Sequence, residues 1–256
     1  MILLRSALYN LYFWAITIPM AFASLPIRIF APRLALAYGR IWIRALFAGL
    51  GPLAGIRVSV TGADHLPQFG PALIASQHQS AFDTLIWMML VPRPAYVLKR
   101  ELTRIPLFGP MLRLSGQIAI DRSGGAGAMR RMLRDAARAK AENRQIVIFP
   151  EGTRRPPGDV GHLQPGIAAL AAHTGLGVIP VVTDSGRCWP RRSFRKRPGI
   201  IRIAILSPLA PDLPRGAILE CLTELYSAGV EAVGKSVGEV NDTLPSSHSD
   251  LLHSSD

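Results

Sequence analysis

An uncharged apolar segment close to the N-terminus places the strongest constraint on what this chain can fold into. No charged residue occurs between Arg5 and Arg28, so residues 6–27 form one mostly apolar stretch. A helix of about 20 apolar residues is long enough to cross the hydrocarbon core of a bilayer. Pro19 and Pro26 interrupt the stretch, and a kinked helix that dips into one leaflet fits the same pattern. The segment therefore predicts membrane association, either across the bilayer or within one leaflet.

The charged residues around the apolar stretch predict its orientation. The flank that follows contains arginines and no acid, whereas Arg5 alone precedes the stretch. These arginines are Arg28, Arg33, Arg40 and Arg44. Lys and Arg are enriched on the cytoplasmic side of membrane segments. We therefore expect attachment to the cell inner membrane, with the part after the stretch on the cytoplasmic side.

A cleaved signal peptide is the alternative interpretation of the same segment. Arg5 would form its basic start, and Ala21-Phe22-Ala23 would form its small-residue cleavage site. However, the apolar run is long for the core of a signal peptide, and its flank stays basic and apolar. Both features favour a retained anchor.

Three of the arginines lie on one side of a predicted second helix. Arg33, Arg40 and Arg44 are spaced by seven and four residues, which places them on one helical stripe. The opposite side carries Tyr38, Trp42, Ala45 and Leu46. Such a helix can lie in the headgroup plane with its arginines facing anionic lipid. The alternative is a helix that docks on the rest of the protein.

The charge balance predicts an anionic partner. The 256 residues include 29 Lys and Arg against 17 Asp and Glu, which gives a formal net charge of +12. Hydrophobic residues make up 49% and charged residues only 18%. This combination favours an anionic membrane over nucleic acid, and we expect no nucleic-acid binding. Cys188 and Cys221 are too few for a disulfide scaffold and too far apart for a CxxC metal site.

Short apolar runs separated by helical segments follow residue 55. This alternation predicts an α/β sheet with helices on its faces. The predicted strands are Ile56–Val60, Ala72–Ser76, Ala95–Leu98, Gln117–Ile120, Gln145–Phe149, Val178–Val182 and Ile200–Leu206. We therefore expect a central, mostly parallel or mixed sheet of about seven strands, preceded by the membrane-associated helical segment.

The same patterns divide the chain into three parts. Residues 1–55 are predicted to form membrane-anchoring helices, and residues 56–235 are predicted to form one α/β domain. The final residues are rich in Ser, His and Asp, so residues 236–256 are predicted to be a disordered tail.

A histidine and an aspartate five residues apart follow the second predicted strand. Ser80 can cap the next helix with Asp83 as its third residue, as in a capping box. His78 then lies in the loop before the helix, where its ring can fold back onto the Asp83 carboxylate. A carboxylate that fixes the tautomer of a histidine is typical of a general base. The alternative is that Asp83 only caps the helix and His78 is incidental.

A turn that contains a glycine and an arginine follows the fifth predicted strand. It reads Phe149-Pro150-Glu151-Gly152-Thr153-Arg154. Open α/β sheets bind their ligands beyond the carboxyl ends of the strands. Gly152 lets the backbone approach an oxyanion, and Arg154 can bind phosphate through two parallel hydrogen bonds. An ordinary surface turn is the alternative.

Other segments narrow the chemistry. Residues 116–122 form a strand that runs into Asp121 and Arg122, and residues 178–181 are typical of a core strand. Residues 125–127 begin like a dinucleotide-binding fingerprint, but Arg130 replaces its final glycine. The sequence lacks GxSxG, P-loop and HExxH motifs, which disfavours the common hydrolase, nucleotide triphosphatase and zinc-protease interpretations.

In this order and at these intervals, the motifs resemble those of the glycerolipid acyltransferase family, in particular the bacterial 1-acyl-sn-glycerol-3-phosphate acyltransferases. The resemblance covers residues 72–182 and the apolar N-terminal segment. It rests on His78 and Asp83, residues 99–102 with Pro106 and Gly109, and residues 116–122, 149–154 and 178–181.

The resemblance implies an acyltransferase domain over residues 56–235. A fatty acyl chain would move from acyl-CoA or acyl carrier protein to a lysophospholipid acceptor, 1-acylglycerol 3-phosphate, without an acyl-enzyme. His78 and Asp83 would be catalytic. The residues implied in substrate binding are Lys99, Arg122, Glu151, Gly152, Thr153 and Arg154. No metal is implied, and no cofactor besides the donor thioester.

Two other functions fit parts of the sequence. The same chemistry would acylate another acceptor, such as glycerol 3-phosphate or an amino-acid lipid. A non-enzymatic basic protein that binds anionic membranes is the second alternative, which the pairing of His78 and Asp83 with a phosphate motif disfavours. The acid-free basic run over residues 187–197 is either a solvated face or a contact surface for anionic lipid or acyl carrier protein.

Overall fold

A computed structural model describes residues 1–121 and 124–239 of the chain. Arg122 lies outside the described residues. The last described helix ends at Glu239, so residues 236–239 at the start of the predicted tail are helical. The rest of the predicted tail lies outside the described range.

Within the described residues, a seven-stranded mixed sheet forms the centre of the fold. Its strands are β1 Ile56–Thr61, β2 Ala72–Ser76, β3 Pro94–Lys99, β4 Ile118–Ile120, β5 Gln145–Ile148, β6 Val178–Thr183 and β7 Gly199–Ile205. Their spatial order is β1-β7-β6-β2-β5-β3-β4, and all neighbouring pairs are parallel except β6–β7. The predicted α/β class and all seven predicted strands are confirmed, with strand ends that differ by at most one residue.

The burial of each strand follows from its place in the sheet. The central strands β2, β5 and β6 are buried at every position, which explains why they are continuous apolar runs. Towards one edge, β1 and β7 alternate between buried and more exposed residues, as strands with one covered face do. Because β2, β5 and β3 are parallel neighbours, the loops that follow them meet at one end of the sheet.

Helices cover both faces of the sheet. They are α1 Ile2–Phe30, α2 Ala35–Ala48, α3 Phe82–Leu90, α4 Phe108–Leu114, α5 Gly125–Ala141, α6 Gly166–Thr174, α7 Ser185–Cys188 and α8 Arg215–Glu239. On one face, α1, α2 and α3 bury side chains that include Tyr9 and Trp87. On the other face, α5, α6 and α8 bury side chains that include Met132 and Tyr226. The sheet is therefore the middle of three layers.

Helix α2 docks on the protein instead of presenting a continuous arginine stripe to headgroups. Ile43 and Leu46 are buried. The Arg40 guanidinium donates to three carbonyl oxygens at and just beyond the end of α3, at 2.6–3.1 Å. A cation there satisfies carbonyl groups that the helix leaves without partners. The predicted stripe is therefore wrong for Arg40, whereas Arg33 and Arg44 are exposed.

Helix α1 is part of the same core. Tyr9 is fully buried, and Ser6 Oγ accepts a hydrogen bond from the Lys196 backbone at 2.8 Å. Further along the helix, Thr17 Oγ1 accepts a hydrogen bond from the Trp42 indole at 3.1 Å. These contacts favour a retained helix over a cleaved signal peptide. One core also includes residues from both sides of the predicted boundary at residue 55.

The two N-terminal helical segments are apolar and long. Ile2–Phe30 and Pro32–Ala54 are each long and apolar enough to cross a membrane. Large apolar side chains recur at helical spacing on the exposed side of α1: Leu4, Leu8, Leu11, Ile18, Phe22, Leu25 and Ile29. An exposed apolar face of this length indicates association with a membrane.

Candidate active site

The predicted site residues gather at one end of the sheet. His78 follows β2, and residues 151–154 follow β5, the strand paired with β2. Lys99 ends β3, which pairs with β5 on its other side. The carboxyl ends of parallel neighbours open on the same crevice. The sheet topology therefore brings together residues that are far apart in the sequence.

His78 and Asp83 form a buried hydrogen-bonded pair. His78 Nδ1 lies 3.3 Å from Asp83 Oδ2, and the two side chains are 12% and 2% exposed. The same carboxylate oxygen accepts the backbone N–H groups of Gln79 and Ser80, each at 2.7 Å. Ser80 Oγ accepts the backbone N–H of Phe82, the first residue of α3. The helix begins one residue later than predicted, with Ala81 at its N-cap and Asp83 as its second residue. With a carboxylate at Nδ1, the ring carries its proton there and Nε2 can accept one.

The loop after β5 forms hydrogen bonds with both backbone polar groups of His78. The His78 N–H donates to Glu151 Oε2 at 2.8 Å, and the His78 carbonyl accepts the Arg155 N–H at 2.7 Å. The imidazole stacks on Phe149 with ring centroids 4.3 Å apart. These contacts fix a residue that lies outside any helix or strand.

Glu151 lies inside the protein and not in the cavity wall. Its side chain is 3% exposed, and Oε1 has no hydrogen-bond partner among the described residues. Burial raises the pKa of Glu151 from 4.5 to about 9, against the opposing effect of the hydrogen bond from the His78 N–H. The Glu151 carboxyl therefore lies behind His78 and bonds to its backbone, and the substrate-binding role of Glu151 stays a prediction.

The raised pKa of Glu151 predicts a pH dependence of stability. Between pH 4.5 and about 9 the folded state holds this proton while the unfolded state releases it, so the free energy of unfolding falls as pH rises. Glu151→Gln keeps an oxygen for the His78 N–H but does not titrate. We expect the melting temperature of the wild type to fall relative to that of Glu151→Gln between pH 5 and pH 9. Parallel melting curves for the two proteins across this range would contradict the buried, protonated carboxyl.

A cavity of about 1200 Å³ opens beside His78. Most of its wall is apolar, and α1, α2, α4 and α5 contribute side chains such as Phe13, Trp42, Phe108 and Met132. Its polar lining at this end of the sheet includes His78, Lys99, Asp121, Gly152, Thr153, Arg154, Arg191 and Arg192. A cavity of this kind suits a molecule with a long apolar part and an anionic head.

Most of the predicted binding residues reach this cavity. Lys99, Gly152, Thr153 and Arg154 line it, whereas the position of Arg122 is not described. Gly152 adopts φ 67°, a left-handed conformation that favours glycine. Its N–H donates to the Phe149 carbonyl at 2.9 Å, so the glycine shapes the turn and its amide is not free to meet an oxyanion.

Sequence reasoning missed parts of the site. Phe149 supports the His78 ring. The side-chain amide of Gln79 donates from Nε2 to the Thr183 carbonyl at the end of β6, and its Oε1 accepts the Gly186 N–H of α7. These contacts have no sequence signal, because they depend on which strands are neighbours. The basic run over residues 187–197 includes Arg191 and Arg192, but the sequence does not show which residues of the run line the cavity. In the described part of the chain, no cluster of three or more His, Cys, Asp and Glu side chains could hold a metal ion.

Two kinds of sequence comparison, with a protein-family model and with curated proteins, show what this chain is similar to. A protein-family model described as Acyltransferase matches residues 57–184, half of the chain. A 1-acyl-sn-glycerol-3-phosphate acyltransferase from Pseudomonas aeruginosa is 38% identical over 153 residues, which cover 60% of this chain and 59% of that protein. The 1-acyl-sn-glycerol-3-phosphate acyltransferase alpha of Mus musculus is 32% identical over 173 residues, which cover 66% and 61%.

The fold also has a solved counterpart. The crystal structure of the 1-acyl-sn-glycerophosphate (LPA) acyltransferase PlsC from Thermotoga maritima matches with a TM-score of 0.68 at 24% identity, over 91% of this chain and 98% of that chain. The chain spans less than two thirds of the length of the first curated relatives that it matches. The family match includes the His78–Asp83 pair and the turn after β5, and the chain belongs to the acyltransferase family.

Proposed function

We propose that the chain transfers a fatty acyl group from a thioester donor to the sn-2 hydroxyl of 1-acyl-sn-glycerol 3-phosphate, which gives phosphatidic acid. The observation that carries this proposal is the His78–Asp83 pair at the polar end of an apolar cavity with a cationic rim. The names of the relatives from Pseudomonas aeruginosa and Mus musculus support the choice of acceptor.

His78 is the general base of the proposed reaction. Its Nε2 accepts the proton of the acceptor hydroxyl while the hydroxyl oxygen attacks the carbonyl carbon of the thioester. The Asp83 carboxylate stabilises the imidazolium through Nδ1. When the tetrahedral intermediate collapses, the C–S bond breaks and the imidazolium gives its proton to the leaving thiolate. Direct attack by the acceptor requires no acyl-enzyme.

The cationic rim binds the phosphate of the acceptor in this proposal. Lys99 and Arg154 reach the cavity from the ends of neighbouring strands, and charge-assisted hydrogen bonds to phosphate are among the strongest in proteins. The resemblance adds Arg122 as a further phosphate contact and Thr153 as a further substrate-binding residue. Glu151 contributes by holding His78 in place.

Loss of Arg154 is expected to weaken the acceptor selectively. Arg154→Ala removes a half-buried guanidinium from the cavity wall and with it about 2 kcal/mol of charged hydrogen bonding. We expect KM for the acceptor to rise roughly 10- to 100-fold while KM for the donor stays nearly constant. Separate saturation curves for the two substrates measure this. A rise confined to the donor KM would assign this arginine to the other substrate.

The proposed partner surface is an anionic membrane, in which α1 lies along one leaflet. Ser6 and Lys196 hold one end of α1 to the domain, and α1 also packs against α4. A helix that packs against the domain along its length cannot span the bilayer, because the domain would then have to lie within the hydrocarbon core. We therefore propose residues 1–55 as the anchor and residues 56–235 as the acyltransferase domain, on the cytoplasmic side of the inner membrane.

The acceptor and the donor are tested together. The proposed donor is acyl-CoA or acyl carrier protein, with no other cofactor. Purified protein is given 1-acyl-glycerol 3-phosphate, glycerol 3-phosphate or an amino-acid lipid with each donor, and the products are identified by mass spectrometry. We expect phosphatidic acid as the main product. Preferential acylation of one of the other acceptors would replace the proposed substrate, and the absence of any acylated product would favour a non-enzymatic membrane-binding protein.

A further inference from the structure

A basic loop connects α7 to β7 at the mouth of the cavity. This loop, Trp189–Pro198, carries most of the acid-free basic run. Arg191 and Arg192 line the cavity and are also exposed, which places them at its opening. Arg187 and Arg195, in the same run, are exposed but do not line the cavity. The run therefore contains two kinds of arginine.

Arg191 and Arg192 lie against Arg154. The Arg191 guanidinium donates to the Arg154 carbonyl at 3.1 Å. Burial lowers the pKa of Arg154, the Asp83 carboxylate raises it, and Arg191 and Arg192 lower it, which reflects the closeness of all three side chains to its guanidinium. Among the described residues, no carboxylate forms an ion pair with any of these three arginines. Three cations that share one opening attract an anion from outside the protein.

The loop is held in a defined shape. The buried Lys196 donates its backbone N–H to Ser6 Oγ at 2.8 Å and its ammonium to Asn10 Oδ1 at 3.2 Å, both on α1. The same ammonium lies 5.0 Å from the Trp189 ring centroid. Arg192 adopts φ 53°, a left-handed conformation that a non-glycine residue keeps only when its surroundings enforce it. The two arginines are therefore pre-positioned at the opening.

We propose that Arg191 and Arg192 join Arg154 in one binding site for a phosphate monoester, and that this site sets the acceptor specificity. This inference rests on the proposed function and extends it to residues outside the segment that defines the family, 57–184. A phosphate monoester carries close to two negative charges at neutral pH and offers three acceptor oxygens. A phosphodiester carries one charge, and an unphosphorylated glyceride carries none. Three arginines therefore favour the monoester most.

The test compares two double variants that remove the same charge. Arg191→Gln/Arg192→Gln changes the two arginines that line the cavity, and Arg187→Gln/Arg195→Gln changes two that do not. KM and kcat are measured for three lipids. These are 1-acyl-glycerol 3-phosphate, the phosphodiester in which its phosphate is esterified to a second glycerol, and 1-monoacylglycerol. We expect the first variant to raise KM for the monoester about 10- to 100-fold and to reduce the preference over the other two lipids. For the control variant we expect KM to stay within about twofold of the wild type, because its two arginines do not line the cavity. Since both variants lose the same charge, any loss of general electrostatic attraction to lipid would appear in both.

Several results would overturn the inference. One is an unchanged KM for the monoester, and another is an equal rise of that KM in both double variants. A third is a rise confined to the KM of the donor, which would assign the loop to the phosphate of the donor. Melting temperatures identify misfolding, and the single variant Arg192→Gln then repeats the comparison. Binding of 1-acyl-glycerol 3-phosphate is also titrated to His78→Ala with and without Arg191→Gln/Arg192→Gln. A larger Kd in the combined variant supports the site even if the wild type turns over no acceptor. This binding measurement therefore distinguishes failure of the proposed function from failure of the site.

Discussion

His78→Ala is expected to lower kcat by at least about 10²-fold, the lower scale for loss of a general base. In the described part of the chain, His78 is the histidine that combines a carboxylate at Nδ1 with a place in the cavity wall. The side chain lies in a loop and its backbone contacts to Glu151 and Arg155 remain in the variant. The melting temperature should therefore change little. Initial rates and thermal unfolding of the same preparation measure both effects.

A second histidine supplies the control. His173 is exposed at the end of α6 and does not line the cavity, so His173→Ala should keep wild-type activity. Substantial turnover by well-folded His78→Ala would remove the base from the mechanism.

Asp83→Ala is expected to lose activity and stability together. The variant removes the carboxylate that orients His78 and leaves the backbone N–H groups of Gln79 and Ser80 without their acceptor. Unsatisfied buried donors cost about 1–3 kcal/mol each, so we expect a loss of about 3 kcal/mol and a fall in melting temperature of roughly 6–12 °C. Activity should also fall, though no further than in His78→Ala, because the base remains but loses its orientation.

Asp83→Asn separates the two roles of this carboxylate. An amide oxygen can still accept the two backbone N–H groups, so stability should be largely retained. The negative charge that stabilises the imidazolium is lost, and we expect kcat to fall about 10- to 100-fold. Unchanged activity in Asp83→Asn with lowered stability in Asp83→Ala would reduce Asp83 to a helix cap.

The fold could be predicted because its strands have a strong sequence signature. β2, β5 and β6 are buried at every position, so each is a short apolar run bounded by polar or turn residues. The contact between His78 and Asp83 could also be predicted, because hydrogen bonding at a helix start is local and returns the loop towards the first turn of the helix.

Contacts that depend on packing could not be predicted. The spacing of Arg40 with its neighbours describes one side of a helix but does not say whether lipid or protein covers that side. Arg40 in fact meets the carbonyl groups at the end of α3. The burial of Glu151 and the selection of Arg191 and Arg192 from the basic run follow from strand order and from the position of α1. No pattern within a short window carries that information.

The most direct test of the proposed acyl transfer to the acceptor is the ratio of free thiol released to phosphatidic acid formed in one reaction. The protein is given 1-acyl-glycerol 3-phosphate and a thioester donor, and thiol and lipid product are quantified together. The proposed chemistry predicts one thiol for each phosphatidic acid, with both falling in parallel in His78→Ala. Thiol release without acylated lipid, or phosphatidic acid formation that persists in folded His78→Ala, would contradict it.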